Sequence, residues 1–450
     1  MRLSIFEYMH QAGIRRIRLR NSTATMMRKG SDQWELMPLE NNPVYGPLLL
    51  SDLLLGQMGH EEMVIYYEPV EGAECMLKAV LAIYSRDLGP AVTGIRVNTY
   101  DTEEDMVEDA LMISRTMSRK AAYANLPLGG GHIVVDWPRP MDFSSNRPAI
   151  FPYLEHLGRL IDEYEGRVIG APDMHTHMHT MHIIQRTTSH VICNMGVDQY
   201  IKVENGLEEP GSIHGSGDPS SFAAYSCFRA METGWRFRQG DQDASLAGTR
   251  VLVLGLGRTG LALVDLLLKS GAEVMGADVD PAACEIMEDV YQVKIVARTR
   301  EEIMQAHATP CDILAPCAIG QLISDKRIRE FDTKLICGVA NHQLNQDKDA
   351  NLLHERGILW IPDICSNVGG LINAAQEVRF DKNGQRKYRS GYDRDAVYQS
   401  IDRLESELWD HLKFAERHSL TPYEVCIARS DLRMQGQRKE RWLKAFQRQG

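Results

Sequence analysis

Three glycines, Gly255, Gly257 and Gly260, stand in GLGRTG directly after the apolar run RVLVL. The first permits a tight turn, the second lets a backbone approach a pyrophosphate, and the third lets the following helix pack on the strand. The N-terminus of that helix, which begins with Arg258 and Thr259, offers amide donors to phosphate. Asp278 follows Gly260 by 18 residues and ends the next apolar strand. There it can accept from both hydroxyls of an adenine ribose, and it repels a 2′-phosphate, so NAD is expected over NADP. Arg298 is expected to lie too far away to offset that charge. The competing reading is a dinucleotide fold that holds no cofactor.

A second cluster begins at Asp173, followed by His175, His177, His179 and His182 in DMHTHMHTMH. No metal site is the primary expectation here. If the run is helical, however, His175, His179 and His182 share one face and can ligate a transition metal. Local packing and polar contact with a substrate are the plainer alternatives. Met174, Met178 and Met181 at near-helical spacing read as core or closing surface. His190 and His214 have no companions and read as structural or exposed. Nine cysteines contain no CxxC pair, so they read as free thiols, with Cys317 in a packing role.

These residues need two sets of elements to position them. The strand at 77–92, the amphipathic helix at 103–124, the glycine-led strand at 125–140, the helix at 148–166 and the strand at 166–174 make a mixed first half. From 220 a helix leads into strand–turn–helix–strand over 249–280, and short strands in KIVAR, CDILAPCA, KLICGVANHQ and GILWIPDI continue a βαβ rhythm. Helices at 401–418 and 421–442 close the chain. The fold class is therefore α/β. The expected divisions are 1–205, 216–372 with the Rossmann fold, and 373–450, a helical segment packing back across a hinge.

The 450 residues suit two domains or more. Apolar residues at 44% and charged residues at 25% mark a globular chain. A net charge of -11 disfavours nucleic acid as a partner. No apolar run is long enough to span a membrane, and no secretion signal is read at the N-terminus, so a cytoplasmic location is expected.

The motifs LGPAVTGIRVNTYDTEEDMVEDALMISRTMSRKAAYANLPLGGGHIVV (88–135), GRVIGAPDM, GSGDPSSFAAY, ILAPCAIG, GVANHQL and IPDICSNVGGLINAAQE (361–377) occur in this order around GLGRTG. Together they resemble the glutamate, leucine, phenylalanine and valine dehydrogenases, closest to the leucine/phenylalanine/valine branch. The resemblance spans nearly everything except an insertion at about 22–60, which is expected to alter assembly or cover the cleft. It implies an N-terminal substrate and oligomerisation domain, a NAD domain that closes on it, and a homo-oligomer. By position it makes Lys120 the clamp for the substrate carboxylate and Asp173 the proton-transfer aspartate. Asn341 and Ala315 fall on the cofactor side, and Gly129, Gly130 and Gly131 form a close-approach loop. Gly94, Thr93, His342, Leu371 and Ala374 match substrate-contact positions.

The family's catalytic lysine, 12 residues beyond Lys120, is here His132. An imidazole is a weaker cation than an ammonium beside a developing oxyanion, yet His132 facing Asp173 makes an acid–base pair. A carboxylate neighbour is expected to raise its pKa. Thr93 replaces a common glycine, Asp218 an asparagine, Ala223 a frequent threonine, and His342 the second asparagine of its motif. The expectation is a NAD-dependent oxidoreductase for an amino acid or a related carboxylate-bearing amine or imine, with His132/Asp173 replacing the usual Lys/Asp pair. The alternatives are a metal-assisted enzyme using the histidine run, and an inactive NAD-binding paralogue.

Overall fold

The computed structural model describes residues 4–20, 23–33, 35–37, 59–139, 142, 147–192, 201–202, 208–209, 216, 218–318, 320–380, 386–387 and 393–447. Two sheets organise it. The first contains β1 (Ile14–Arg20), β2 (Thr23–Arg28), β3 (Glu35–Met37), β4 (Glu62–Pro69), β5 (Met76–Ser85), β6 (Ala91–Asn98), β7 (Gly129–Asp136) and β8 (Val168–Pro172), in the order β3-β2-β1-β4-β5-β7-β6-β8. The β1–β5 side is antiparallel, whereas β6 runs parallel to both β7 and β8. Parallel neighbours need crossovers. The helices Glu103–Tyr123 and Phe151–Asp162 supply them.

The helix Glu103–Tyr123 starts where its sequence says it should. The Thr102 side chain accepts from the Asp105 amide, and Glu103, Glu104 and Asp105 fill the first turn. Glu103 also accepts from the amides of Ile5 and Phe6, fastening the N-terminal helix Ile5–Gln11. The triple glycine is part of strand β7 rather than a loop. A Cβ on Gly129 would strike the Ser85 carbonyl, and one on Gly130 the Ser118 amide. These glycines therefore let β5, β7 and the 103–123 helix pack backbone to backbone.

After a small hairpin, β9 (Ile201–Lys202) and β10 (Glu208–Glu209), the second sheet begins. It contains β11 (Arg250–Leu254), β12 (Glu273–Ala277), β13 (Lys294–Ala297), β14 (Ile313–Pro316), β15 (Leu335–Ile336) and β16 (Leu359–Trp360), all parallel, in the order β13-β12-β11-β14-β15-β16. This is the doubly wound order of dinucleotide-binding sheets. Buried clusters cover both faces, with Val251, Val253 and Ile313 on one and Leu252, Leu254 and Leu314 on the other. A short pair, β17 (Arg379–Phe380) and β18 (Arg386–Lys387), follows.

The last helices tie the halves together. Tyr225 Oη and Arg229 Nε both donate to Asp402, at 2.8 and 3.1 Å. The helix Pro422–Gln447 returns to the first half: Arg119 forks onto Asp431 at 3.2 and 3.1 Å, and Arg433 Nη1 donates to the Ala122 carbonyl at 2.6 Å. Of the 22–60 insertion, the described parts extend the first sheet's edge as β2 and β3. Residues 38–58 and His214 lie outside the described residues. Among the described residues, no helix is long and apolar enough to cross a membrane.

Candidate active site

A cleft of about 400 Å³ opens between the two sheets. Lys120 and Asp173 line it from the first half, and Arg258, Thr259 and Asn341 from the second. Lys120 is buried on the 103–123 helix, and its Nζ donates to Asn341 Oδ1 at 2.5 Å. Asn367 Nδ2 donates to the same oxygen at 3.0 Å, which aims the amide. Burial pushes the Lys120 pKa down, while Asp363 and Asp173 pull it back up. A cation so poorly solvated gains strongly from an incoming carboxylate.

His132 and Asp173 are neighbours because their strands flank Gly94. In register, Gly94 lies between His132 on β7 and Ala171 on β8. A Cβ at Gly94 would come within 2.9 Å of His132 Cε1 and 3.3 Å of Asp173 Cβ. The missing side chain thus makes room for the pair, and His132 Nε2 stands 3.6 Å from Asp173 Oδ2. His132 is 1% exposed, and among the described residues neither ring nitrogen has a hydrogen-bond partner. Its pKa moves opposite to expectation. Burial pushes it down to about 4 and outweighs the pull of Asp173, which Arg96 in part opposes. The imidazole is therefore neutral near pH 7 and sits behind the cleft wall rather than on it.

Asp173 keeps about a fifth of its side chain exposed, at 21%. Burial alone would raise its pKa. The Arg96 guanidinium, then His132, outweigh this and hold the carboxyl well below the usual range. Arg96 Nε donates to Asp173 Oδ2 at 2.7 Å. Sequence reasoning did not single out Arg96, although strand alternation puts Val92, Gly94 and Arg96 on one face. The same alternation turns Thr93 the other way, where its hydroxyl donates to the Ala91 carbonyl at 3.1 Å.

On the opposite wall, Gly255 has φ +107, and a Cβ there would lie 2.5 Å from Ala318 Cβ. A Cβ on Gly260 would strike the Gly255 carbonyl, while one on Gly257 would meet nothing. Gly257 caps the helix Arg258–Lys269 without a side-chain hydrogen bond, so the first amides of that helix are open to a phosphate. Asp278 accepts from the amides of Leu256 at 2.6 Å and Asp280 at 2.9 Å, which locks the turn beside it. Arg298 is nearer than expected. The Asp278 amide bonds the Ala297 carbonyl at 3.3 Å, so Arg298 begins at the adjoining strand end, where Glu288 pairs with it. These features fit a dinucleotide.

Other sequence candidates separate. Leu371 and Ala374 line the cleft with Val92, Met117 and Met178. His342 has φ +54, and its amide donates to Asp363 at 3.0 Å. Ala315 is buried in the core of β14. Asp218 accepts from Arg258 Nη1 at 3.0 Å on the same side of the cleft, and Ser220 and then Arg258 hold its pKa down against burial.

The histidine run is not one helix. His175 has φ +60 and bonds the Val97 carbonyl through Nδ1 at 2.7 Å. The helix Met178–Ile184 starts only after His177, whose Nδ1 accepts from the His179 amide at 3.2 Å. The shared metal face expected of His175, His179 and His182 therefore does not form. Among the described residues, no group of three or more His, Cys, Asp or Glu could hold a metal. Instead His177 and Met178 line the cleft, Met181 is core, and Met174 is exposed.

Two sheets, one of them a doubly wound dinucleotide fold, facing each other across a lysine- and aspartate-lined cleft define an oxidoreductase architecture. Residues 60–190 match the family description "Glu/Leu/Phe/Val dehydrogenase, dimerisation domain", and residues 215–411 match "Glutamate/Leucine/Phenylalanine/Valine dehydrogenase". The chain belongs to this family and is an amino-acid dehydrogenase-like oxidoreductase. It is 30% identical to a leucine dehydrogenase of Thermoactinomyces intermedius over 383 residues, covering 85% of this chain and 93% of that one. It is 34% identical to a valine dehydrogenase of Streptomyces virginiae over 339 residues, covering 75% and 86%. A solved L-tryptophan dehydrogenase from Nostoc punctiforme superposes with a TM-score of 0.64 at 26% identity, covering 87% of this chain and 99% of that one.

Proposed function

We propose that the protein is a NAD-dependent oxidoreductase acting on an amino acid, or on a related carboxylate-bearing amine or imine. The observation that carries this reading is the joint lining of one cleft by Lys120 and Asp173 on one side and the Arg258–Thr259 helix start on the other. Lys120 clamps the substrate carboxylate. Val92, Met117, Leu371 and Ala374 receive an apolar side chain, as suits a relative of leucine, valine and tryptophan dehydrogenases. Gly255, Gly257, Gly260 and Asp278 hold the dinucleotide, with Asn341 on its nicotinamide side. Bound NAD supplies the acceptor or donor of hydride. Asp278 favours NAD, because its carboxylate repels a 2′-phosphate and Glu288 occupies Arg298.

His132 and Asp173 take the place of the usual Lys/Asp pair. His132 is uncharged at working pH and serves as a transient proton acceptor behind Asp173, whose carboxylate 3.6 Å away stabilises the imidazolium while it lasts. Asp173, held as an anion, faces the substrate amine or imine and stabilises its positive charge. His132→Ala should cut turnover at least tenfold in an NADH-absorbance assay over a panel of apolar and aromatic amino acids, with NAD affinity unchanged. Equal turnover in the variant would discard the role of His132. The burial of His132 favours a second reading, a NAD-binding chain without turnover. That reading gains if the wild-type protein binds NAD but reduces it with no member of the panel.

The match of residues 60–190 to a dimerisation domain supports a homo-oligomer formed through the first sheet's half. A cytoplasmic setting suits an enzyme of this class.

A further inference from the structure

Arg96 sits where two carboxylates and an imidazole converge. Its Nε donates to Asp173 Oδ2 at 2.7 Å, and its Nη1 spans both oxygens of Asp109 at 3.0 and 3.1 Å. Tyr100 Oη donates to Asp109 Oδ2 at 2.6 Å from the far side. The Asp173 oxygen bound by Arg96 is also the one 3.6 Å from His132 Nε2. Oδ2 is thus turned inward, and Oδ1 is the oxygen Arg96 does not engage. Asp173 lines the cleft, so the orientation of its carboxylate matters to whatever the cleft holds.

We propose that Arg96 is a positioning residue for the reaction: anchored by Asp109, it fixes the Asp173 carboxylate in the cleft wall and supplies the permanent positive charge that position 132 lacks. The proposal rests on the reading that Asp173 and His132 serve substrate chemistry. In the family pattern one lysine provides both a charge and an exchangeable proton. A guanidinium keeps its proton at every working pH, so it can provide only the charge. A neutral imidazole can provide only the proton site. The two duties are therefore divided between Arg96 on β6 and His132 on β7. Arg96 further disfavours a second cation nearby, consistent with a neutral His132. The charged and titratable groups facing this cluster are Arg96 from β6, His132 from β7, Asp109 from the 103–123 helix, Tyr100 from the segment before it, and Lys120 on the same helix.

The test compares Arg96→Gln and Arg96→Lys with the wild-type full chain. The first readout is the pH profile of kcat/KM with NAD and the best substrate of the panel. The second is the titration of the His132 ring by NMR of histidine-labelled protein, and thermal melting reports folding. In Arg96→Gln the acid limb should move up by about one pH unit or more as Asp173 loses its cation, and the His132 titration should move up with it. Arg96→Lys should keep the acid limb near its wild-type position while lowering kcat, because one ammonium cannot span Asp109 and Asp173. A folded Arg96→Gln with the wild-type pH profile and His132 titration overturns the proposal. Should Arg96→Gln not fold, Asp109→Asn replaces it. Loss of the anchor should then lower kcat with KM and NAD affinity unchanged, and unchanged kcat overturns the proposal. A shifted His132 titration in a chain that turns over nothing on the panel discards the reading of function and leaves the electrostatic role of Arg96 standing.

Discussion

The two walls of the cleft solve the same problem by different physics. The cofactor wall is made of backbone: a glycine at φ +107, a helix start with open amides, and a carboxylate braced by two amides. The substrate wall is made of buried side chains: Lys120 on Asn341, and Arg96 shared between Asp109 and Asp173, with His132 behind. Backbone sites recognise phosphate through geometry that few sequences encode. Side-chain sites depend on which charges face one another in low dielectric, so one substitution resets several protonation states. A family can therefore keep its cofactor wall while its substrate wall drifts.

The sharpest way to break this contrast is to remove one group from each wall. Lys120→Met should produce the largest loss, about 100- to 1,000-fold in kcat/KM, since a buried carboxylate would lose its direct ammonium partner. Steady-state kinetics check this, and NAD affinity should not change. Gly257→Val is the counterpart on the other wall. A Cβ at Gly257 meets nothing within 4 Å, so the fold should melt as the wild type does. The side chain would nevertheless occupy the pyrophosphate approach, and NAD affinity should fall roughly 100-fold by calorimetric titration. If Lys120→Met weakens NAD as much as Gly257→Val does, the walls are not independent.

A smaller effect is expected at Asp278. Asp278→Asn keeps oxygen and amide in place of the carboxylate and removes one negative charge. The ratio of kcat/KM for NAD over NADP should fall about tenfold, since a like charge no longer faces the 2′-phosphate. An unchanged ratio would mean that selectivity is set elsewhere, with Arg298 beside it the first residue to examine.

The unequal construction of the walls also decides what could be read from sequence. GLGRTG after RVLVL and before an apolar helix is a local pattern, so the glycine turn and the βαβ rhythm of the second sheet were legible from adjacent residues, whereas the order of its strands was not. The substrate wall is assembled from 96, 109, 120, 132 and 173, on separate elements, and local pattern says little about it. Strand alternation was legible and put Arg96 on the face of Gly94, but its partner Asp109 comes from a helix that only packing locates. His132 was recognisable as the residue standing where the resemblance expects a lysine. Its neutrality was not, because burial beneath the 103–123 helix outweighs the visible attraction of Asp173. The histidine run misled through periodicity: the turn at Asp173–Thr176, closed by the Thr176 amide on the Asp173 carbonyl, and the positive φ of His175 delay the helix to Met178.

The subtlest consequence is a difference in acid sensitivity. His60 and His132 both belong to the first sheet's half, and burial pushes each down to about 4. Their ordinary value is 6.5, so below that pH the unfolded chain binds protons that the folded chain refuses, and stability must fall as pH falls. The full contribution is present above about 6.5, and the loss saturates once pH drops through 4. At pH 5 the cost is on the order of 2 kcal/mol for each ring. His411, among the C-terminal helices, carries a similar shift, so both halves weaken, the first through two rings and the C-terminal region through one. His132→Leu removes one proton-binding site without leaving a cavity that needs a polar partner. The gap between melting temperatures at pH 7 and pH 5 should narrow by several degrees in this variant relative to wild type. Hydrogen exchange at pH 5 should show β7 and the 103–123 helix opening before β11 and β14. If the order is reversed, the buried charges of the substrate wall are not the weak point that their chemistry implies.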